Sequence, residues 1–390
     1  MLKSHFFCLI CVLNITTAQA APYVPARLDQ VLEKLPHNLQ SSSGAVNILR
    51  KQLTANPNNL AAALKLAILY IEQSRVEGDP RYLGYAQAAL APWWKLQKPP
   101  IEVIVLRATL LQSTHQFDAA LKDLDTVLKL DSTNGQAWIT RATILQVQGR
   151  YAEALKSCDQ LKPLAPVLIT LTCTNNIRNL SGHAATSFQT LKSAYEQNTD
   201  KNIGVDIWIV TLLAEMANRL GEYGAAETYF TKAMQLEKPD SYLLGAYADF
   251  LLDRHRPQEV IKLLKDKTNI DALLLRYAQA LQMVDANLAH PQIEHLKQNF
   301  AAAALRGDTV HLREQSRFEL KLMHNPARAL SLAINNWKTQ KEPADARVYL
   351  ESALASKNKA EIQKIKDWIV KNQLQDAALN QLISNNGLTQ

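Results

Sequence analysis

Glycine and proline are scarce in this chain, with 12 and 15 residues among 390. A protein rich in β-strands and tight turns usually needs more of both, because these residues supply the backbone conformations of turns. Alanine, leucine, lysine and glutamine are abundant instead, and all four are good helix formers. The composition therefore predicts an all-α protein.

Strong charge of one sign is also lacking. The 43 basic and 36 acidic residues leave a net charge of +7, and the excess is spread along the chain without lysine or arginine blocks. A nucleic-acid-binding protein more often carries a concentrated basic patch or a recognition motif. We therefore expect no nucleic-acid partner. After the first 20 residues no run is long and apolar enough to cross a bilayer, so no transmembrane segment is expected.

Familiar catalytic and metal-binding motifs are missing from the sequence as well. It contains no HExxH zinc motif, no GxxxxGKS phosphate loop and no GxSxG nucleophile elbow. The histidines are scattered, and even His290 and His295 are five residues apart, where a helix-borne metal pair needs four. We expect a protein that is not an enzyme, with no catalytic residues, no metal and no cofactor.

The first 20 residues have the pattern of a secretory signal peptide. Lys3 supplies the positive start, FFCLICVLNI supplies the apolar stretch, and Ala18 and Ala20 are the small residues that precede a cleavage site. Cleavage is predicted after Ala20, which would remove Cys8 and Cys11. We expect the mature protein in the periplasm of a bacterium.

Two short segments nearly repeat each other: LRATLLQ begins at Leu106, and TRATILQ begins 34 residues later at Thr140. A period of 34 is typical of the tetratricopeptide repeat, a helix–turn–helix unit. The chain resembles this family. In the segment NGQAWITRATILQVQGRYAEALKSCDQLKPLAP the family pattern is matched by Trp138, Ala142, Leu145, Gly149, Tyr151, Ala154 and Pro166.

The resemblance implies a right-handed α-solenoid of about nine repeats behind an N-terminal helical cap. The repeats are predicted to begin near Leu60, Ile101, Gly135, Leu168, Ile207, Ser241, Leu275, Val310 and Ala344. The predicted organisation is a signal peptide at 1–20, the cap at 21–57, repeats at 58–205 with an insertion near 75–100, at 206–309 and at 310–380, and a flexible tail at 381–390.

In this family the first helix of each repeat lines a concave groove, and certain positions of that helix face inward. The resemblance places seven amide and hydroxyl side chains in the groove: Thr109, Gln112, Gln136, Thr143, Gln146, Asn176 and Asn179. Further along the chain it also places there Trp208, Glu215, Asn218, Arg219, Tyr242 and Asp249. Amides and hydroxyls both donate and accept hydrogen bonds, which suits a bound peptide.

Arg107 and Arg141 stand where the family usually has leucine. Their aliphatic stems could pack between the helices while the charged heads reach the edge. Alternatively the heads turn into the groove and bind an anionic group of the partner. Arg141 is therefore included among the candidate binding residues.

Cys158 is expected on the second helix of one repeat and Cys173 on the first helix of the next. These helices pack together in the family, so a disulfide is predicted, with a pair of free, buried thiols as the alternative. The whole pattern favours an exported scaffold that binds a protein or peptide in its groove during cell-envelope assembly. The alternatives are a self-associating structural solenoid and a non-catalytic subunit of an envelope enzyme or secretion complex.

Overall fold

A computed structural model describes residues 40–200, 202–236, 239–305, 307–308 and 310–388. The chain divides into two compact parts, Met1–Ile48 and Leu49–Gln390. Of the first part only residues 40–48, the beginning of one helix, are described. The predicted signal peptide at 1–20 and most of the predicted cap lie outside the described residues.

All regular secondary structure in the described residues is α-helical, as the composition predicts. The first eleven helices are α1 Gln40–Ala55, α2 Leu60–Glu77, α3 Arg81–Ala89, α4 Ala91–Trp94, α5 Ile101–Ser113, α6 Phe117–Leu130, α7 Gly135–Val147, α8 Tyr151–Asp159, α9 Val167–Asn179, α10 Ala184–Gln197 and α11 Ile203–Leu220. The others are α12 Tyr223–Leu236, α13 Ser241–Asp253, α14 Pro257–Leu264, α15 Asp271–Val284, α16 Ala286–Leu305, α17 Leu312–Lys321, α18 Pro326–Trp337, α19 Pro343–Ala355, α20 Lys359–Lys371 and α21 Ala377–Asn385.

From α2 onwards the helices form nine consecutive pairs, followed by α21. The pairs are α2/α3, α5/α6, α7/α8, α9/α10, α11/α12, α13/α14, α15/α16, α17/α18 and α19/α20. This confirms the predicted all-α helical repeat. In the insertion near 75–100 the second helix ends at Ala89 and the short helix α4 follows, with Trp93 and Trp94 half-buried.

Local sequence explains why each pair forms where it does. Ala142 and Ala154 are almost completely buried where α7 crosses α8, since a small side chain lets two helix backbones approach closely. Gly149 occupies the turn between them with a positive φ of 73°, which costs glycine little. Asn134 begins α7 by accepting a hydrogen bond from the amide of Ala137.

The C-terminal helices pack against the turns of the early pairs. One hydrophobic cluster joins residues of α5–α9 to residues of α18–α21, including Phe117, Leu145, Trp337 and Tyr349. Backbone contacts seal this junction: the amide of Lys341 donates to the carbonyl oxygen of Val147 at 2.7 Å. The early pairs are therefore not an open groove along their whole length, because the chain's own C-terminal helices lie against them.

Two side chains make further contacts across the same junction. Gln340 Nε2 lies 3.1 Å from His115 Nδ1, in the turn after α5. Gln375 Oε1 accepts a hydrogen bond from the amide of Ala184 at 3.2 Å. The last helix, α21, extends to Asn385, so residues 381–385 of the predicted flexible tail are helical.

The predicted disulfide is present between Cys158 and Cys173. It joins the end of α8 to α9, and the two Cα atoms are 5.7 Å apart. Both cysteines are buried inside the large hydrophobic cluster. The covalent link therefore fixes two successive pairs together next to the cavity described below.

Replacing both cysteines by alanine should lower the free energy of unfolding by about 3 kcal/mol, because the unfolded chain regains the entropy of the short loop. Urea denaturation with and without a reductant measures the difference. Reductant should destabilise the wild-type protein and leave the double variant unchanged. A wild-type protein that is insensitive to reductant under unfolding conditions would contradict the disulfide.

Candidate functional site

The first helices of the nine pairs surround a cavity of about 1380 Å³. Each of these helices, from α2 to α19, contributes at least one residue to its wall. The cavity is larger than the range of about 300–1,000 Å³ that is usual for small-molecule sites. Its size therefore suits a segment of polypeptide better than a single small ligand.

Four of the amide and hydroxyl residues predicted from the sequence line this cavity: Thr109, Gln112, Gln146 and Asn176. Asn176 Nδ2 donates to Gln146 Oε1 at 3.0 Å, which links α9 to α7. The Thr109 hydroxyl donates to the carbonyl oxygen of Val105 on its own helix. These side chains form a polar stretch of wall with amide groups available to a ligand.

Three other predicted residues do not lie on the wall. Gln136 and Thr143 are exposed away from the cavity. The head of Arg141 is bound by second helices: its Nε lies 3.1 Å from Asp125 Oδ1, and its Nη1 donates to Ser157 Oγ at 2.8 Å. The prediction that Arg141 turns into the groove was wrong, since α6 and α8 offer a carboxylate and a hydroxyl on the other side.

Arg107 behaves in the same way one pair earlier. Its guanidinium forms two hydrogen bonds of 2.7 Å with the carboxylate of Asp123 and a third with the carbonyl oxygen of Trp94. The repeated arginine is thus a structural link within a pair. It also fixes the end of the insertion near 75–100.

Asn179 acts on the cavity indirectly. It is fully buried, and its Nδ2 donates to the carbonyl oxygen of Ala184 at 3.2 Å. Its Oδ1 accepts hydrogen bonds from Nε and Nη2 of Arg219 at 2.9 and 2.8 Å. Arg219 lines the cavity, so Asn179 positions a cationic group on the wall and is not itself part of the wall.

The groove positions expected on α11 and α13 fit the structure well. All of them except Trp208 line the cavity: Glu215, Asn218, Arg219, Tyr242 and Asp249. The Tyr242 hydroxyl donates to Glu215 Oε1 at 2.8 Å. Burial raises the pKa of Glu215, and burial together with the Glu215 charge raises that of Tyr242 well above its ordinary value.

A network of ion pairs forms the wall around Asp249. One carboxylate oxygen lies 2.6 Å from Arg276 Nη2 and the other 2.6 Å from Arg317 Nη1. Arg317 also donates to Gln279 Oε1. Burial alone would raise the pKa of Asp249, but the two arginines lower it well below its ordinary value. This carboxylate holds α13, α15 and α17 together.

The sequence analysis did not identify Arg276 or Arg317. A signal for the second was present, because Asp249 and Arg317 are 68 residues apart, twice the repeat length. Equivalent positions of a repeat protein face the same wall, so opposite charges at this spacing could have been paired. Arg276 lies outside this register.

A second group of charges extends the network onto α19. Arg347 binds both carboxylate oxygens of Asp253 at 2.6 and 2.7 Å. Glu351 lies 2.8 Å from Lys321 Nζ and 3.1 Å from Arg347 Nε. Salt bridges therefore connect α13, α17 and α19 across the cavity wall.

A third charged group surrounds Arg313 at the beginning of α19. Arg313 Nη1 lies 3.2 Å from Glu342 Oε2 and 3.5 Å from Asp345 Oδ1. The amide of Glu342 donates to Asp345 Oδ2 at 2.8 Å, which begins the helix. Burial raises the pKa of Glu342, and the neighbouring Asp345 charge adds to the rise, although Arg313 opposes it. Two carboxyl groups therefore share one arginine.

Within the described ranges, no cluster of three histidine, cysteine, aspartate or glutamate side chains could hold a metal ion. No helix in the part of the chain that the structure describes is both long and apolar enough to cross a bilayer. What the cavity offers is a set of fixed charges and amide groups, which can orient a ligand by hydrogen bonds and ion pairs.

No protein-family model matches the chain, and no curated protein matches it in sequence. Among solved structures it is similar to a tetratricopeptide repeat protein from Parabacteroides merdae, with 13% identity over 65% of this chain and 98% of the other, at a TM-score of 0.39. It is also similar to the APC/C hetero-tetramer Cut9–Hcn1, with 14% identity over 82% and 51% and a TM-score of 0.40. For yeast Tom70 the values are 17%, 83% and 62%, and 0.29.

These likenesses are distant, and they carry no conclusion about partners. The helix pairs and the 34-residue spacing described above are what make the chain resemble tetratricopeptide repeat proteins. The cavity formed by the first helices is the basis of the functional proposal below.

Asp249→Asn should lower the free energy of unfolding by about 2–3 kcal/mol, because Arg276 and Arg317 would remain without a carboxylate. The low end of the usual range applies since Asp249 is 30% exposed. Thermal or urea denaturation at pH 7 measures the change. The control Arg256→Gln removes an exposed ion pair and should cost less than about 1 kcal/mol. Equal effects of the two substitutions would contradict the network.

Glu342→Gln should stabilise the protein more at pH 8 than at pH 5. A carboxyl group with a raised pKa binds its proton more tightly in the folded state than in the unfolded state, where its pKa is near 4.5. Its contribution to stability therefore falls as the pH rises above that value. Urea denaturation of wild type and variant at both pH values gives the difference. The exposed Glu72→Gln serves as control, and a pH-independent difference for Glu342→Gln would contradict the raised pKa.

Proposed function

We propose that this protein is an exported binding module whose cavity holds a segment of a partner protein during assembly at the cell envelope. The observation that carries the proposal is the cavity of about 1380 Å³ to which the first helix of every pair contributes. A surface built from so many separate helices can contact an extended or helical segment at several points along its length.

The chemistry of the wall suits a polypeptide ligand. Amides of Gln112, Gln146 and Asn176 can donate to carbonyl groups and accept from amide groups of a peptide backbone. Apolar patches such as Leu212 and Phe230 lie on the same wall and can pack against side chains of the ligand. The ligand would therefore gain both orientation and hydrophobic burial.

A binding role fits the state of the charged groups better than a catalytic role. Asp249, Asp253 and Glu351 are each held by one or two basic side chains, and Glu215 accepts from Tyr242. A general acid or base needs a group that is within reach of a substrate proton and free to exchange it. We infer that these carboxylates stabilise the wall.

Export is supported by the N-terminal sequence pattern and by the disulfide. The first 20 residues carry the charge, apolar stretch and small residues of a signal peptide. A structural disulfide such as Cys158–Cys173 is expected in an oxidising compartment and is rare in the cytosol. Together they favour the periplasm of a bacterium.

Site-specific crosslinking in living cells tests the proposal. A photo-reactive amino acid replaces Gln112 or Gln146 on the cavity wall, and Gln136 or Thr143 outside it serves as the matched control. Crosslinks to a partner polypeptide from the wall positions alone are expected, because only those positions would contact a bound segment.

Partner crosslinks from the control positions alone would place binding outside the cavity and overturn the proposal. Crosslinks only between copies of this chain would favour a self-associating structural protein. The same purified protein tests export, since mass spectrometry should find Ala21 as its first residue.

A further inference from the structure

We infer that Arg219, Arg254 and Tyr223 form a subsite on the cavity wall that binds an oxyanion group of the ligand, a carboxylate or a phosphate. The inference deepens the proposed function and depends on it for the identity of the ligand. All three residues line the cavity. Their feature in common is positive charge that the rest of the described chain does not neutralise by direct pairing.

Most half-buried arginines on this wall are paired with carboxylates. Arg276, Arg313, Arg317 and Arg347 each lie within 3.5 Å of at least one carboxylate oxygen. Among the described residues no carboxylate oxygen lies within ion-pair distance of the head of Arg219 or Arg254. Arg75 also lacks such a partner, but it is exposed.

Arg219 is held in place by a neutral group. Asn179 Oδ1 accepts from its Nε and Nη2, and Asn179 is itself fully buried and anchored to the carbonyl oxygen of Ala184. The asparagine fixes the direction of the guanidinium without cancelling its charge. A buried residue that only positions an unneutralised cation is typical of a prepared binding site.

Arg254 is held by an aromatic ring. Its guanidinium carbon lies 3.7 Å from the centroid of the Tyr223 ring, close enough for a cation–π interaction. Its Nε is buried and has no hydrogen-bond partner among the described residues. Stacking occupies only the face of the guanidinium, so the N–H groups at its edge remain directed to a ligand.

The chain brings the two arginines to one stretch of wall. Arg219 lies in the last turn of α11, and Tyr223 begins α12 four residues later, after the turn at Gly221. Arg254 ends α13 in the next pair and stacks on that same Tyr223. Both guanidinium groups therefore adjoin the turn between α11 and α12.

The carboxylates nearest in the chain or on the wall are already engaged. Arg347 binds both oxygens of Asp253, and Asp376 Oδ1 accepts from the amide of Leu379 at the start of α21. Glu215, one helical turn before Arg219, accepts from Tyr242, and burial raises its pKa. An incoming oxyanion would thus find few charges competing for the two arginines.

Arginine side chains match the geometry of carboxylate and phosphate groups, because two parallel N–H groups can meet two oxygens. Two such heads on one wall favour a ligand group with full negative charge over a neutral amide. For a polypeptide partner this group is a C-terminal or acidic side-chain carboxylate, or a phosphate carried by a modified side chain.

Nuclear magnetic resonance of the arginine side chains tests the subsite directly. The full-length mature protein, labelled with ¹⁵N, is titrated with sodium acetate and separately with inorganic phosphate, with sodium chloride keeping the ionic strength constant. The Nε–Hε signals of Arg219 and Arg254 should shift saturably with at least one anion and not with chloride. The relative affinities then distinguish a carboxylate from a phosphate site.

Arg219→Gln and Arg254→Gln should each weaken anion binding by about tenfold or more, since a charge-assisted hydrogen bond is lost. The matched control is Arg256→Gln, only two residues from Arg254, whose head pairs with Glu227 and Glu259 and does not line the cavity. It should leave the anion affinity unchanged. Should a glutamine variant fail to fold, Arg219→Lys and Arg254→Lys, which keep the charge but lose the paired N–H geometry, replace it.

Absence of a saturable shift with both anions in the wild-type protein would overturn the inference, as would equal loss of binding in Arg256→Gln. This result is distinguishable from failure of the proposed function. Small anions need no partner protein, so crosslinking from Gln112 and Gln146 could still succeed while the anion titration fails. Saturable anion binding without any partner crosslink would support the subsite and leave the proposed partner segment without support.

Discussion

The packing of the C-terminal helices against the early pairs is the contact on which the cavity depends. Trp337 and Tyr349 belong to the same hydrophobic cluster as Phe117 and Leu145, more than 200 residues earlier in the chain. Burying aromatic side chains of this size provides much of the driving force for such a junction. Because of it, the first helices of α17 and α19 face the same cavity as those of α5, α7 and α9.

Ion pairs then set the character of the cavity wall. Asp249 attracts Arg276 and Arg317, and Asp253 attracts Arg347, so helices far apart in the chain are joined through charges in a partly shielded environment. A charge that is paired in this way stabilises the wall but is less available to a ligand. The contrast with Arg219 and Arg254, which lack a carboxylate partner, is what separates structural charges from those we assign to binding.

This division also accounts for the repeated arginines at Arg107 and Arg141. Each is bound by side chains of second helices, and their guanidinium groups serve the packing of successive pairs. The same residue type therefore has two roles in one repeat architecture. Which role it takes depends on whether an acidic or hydroxyl group on a neighbouring helix reaches its head.

The sequence by itself determined the helical class, the repeat length and the pairing of Cys158 with Cys173. These follow from local and nearest-neighbour physics, since each pair contacts the next through residues at a fixed spacing. The same spacing correctly placed Gln112, Gln146 and Asn176 on the inner wall. It misplaced Arg141, because the periodicity gives the side of a helix and not the hydrogen-bond partner that a long side chain finds. Only the tertiary structure decided that C-terminal helices cover the early turns and that Arg276 reaches Asp249, since contacts between distant pairs depend on the accumulated curvature of all the pairs between them.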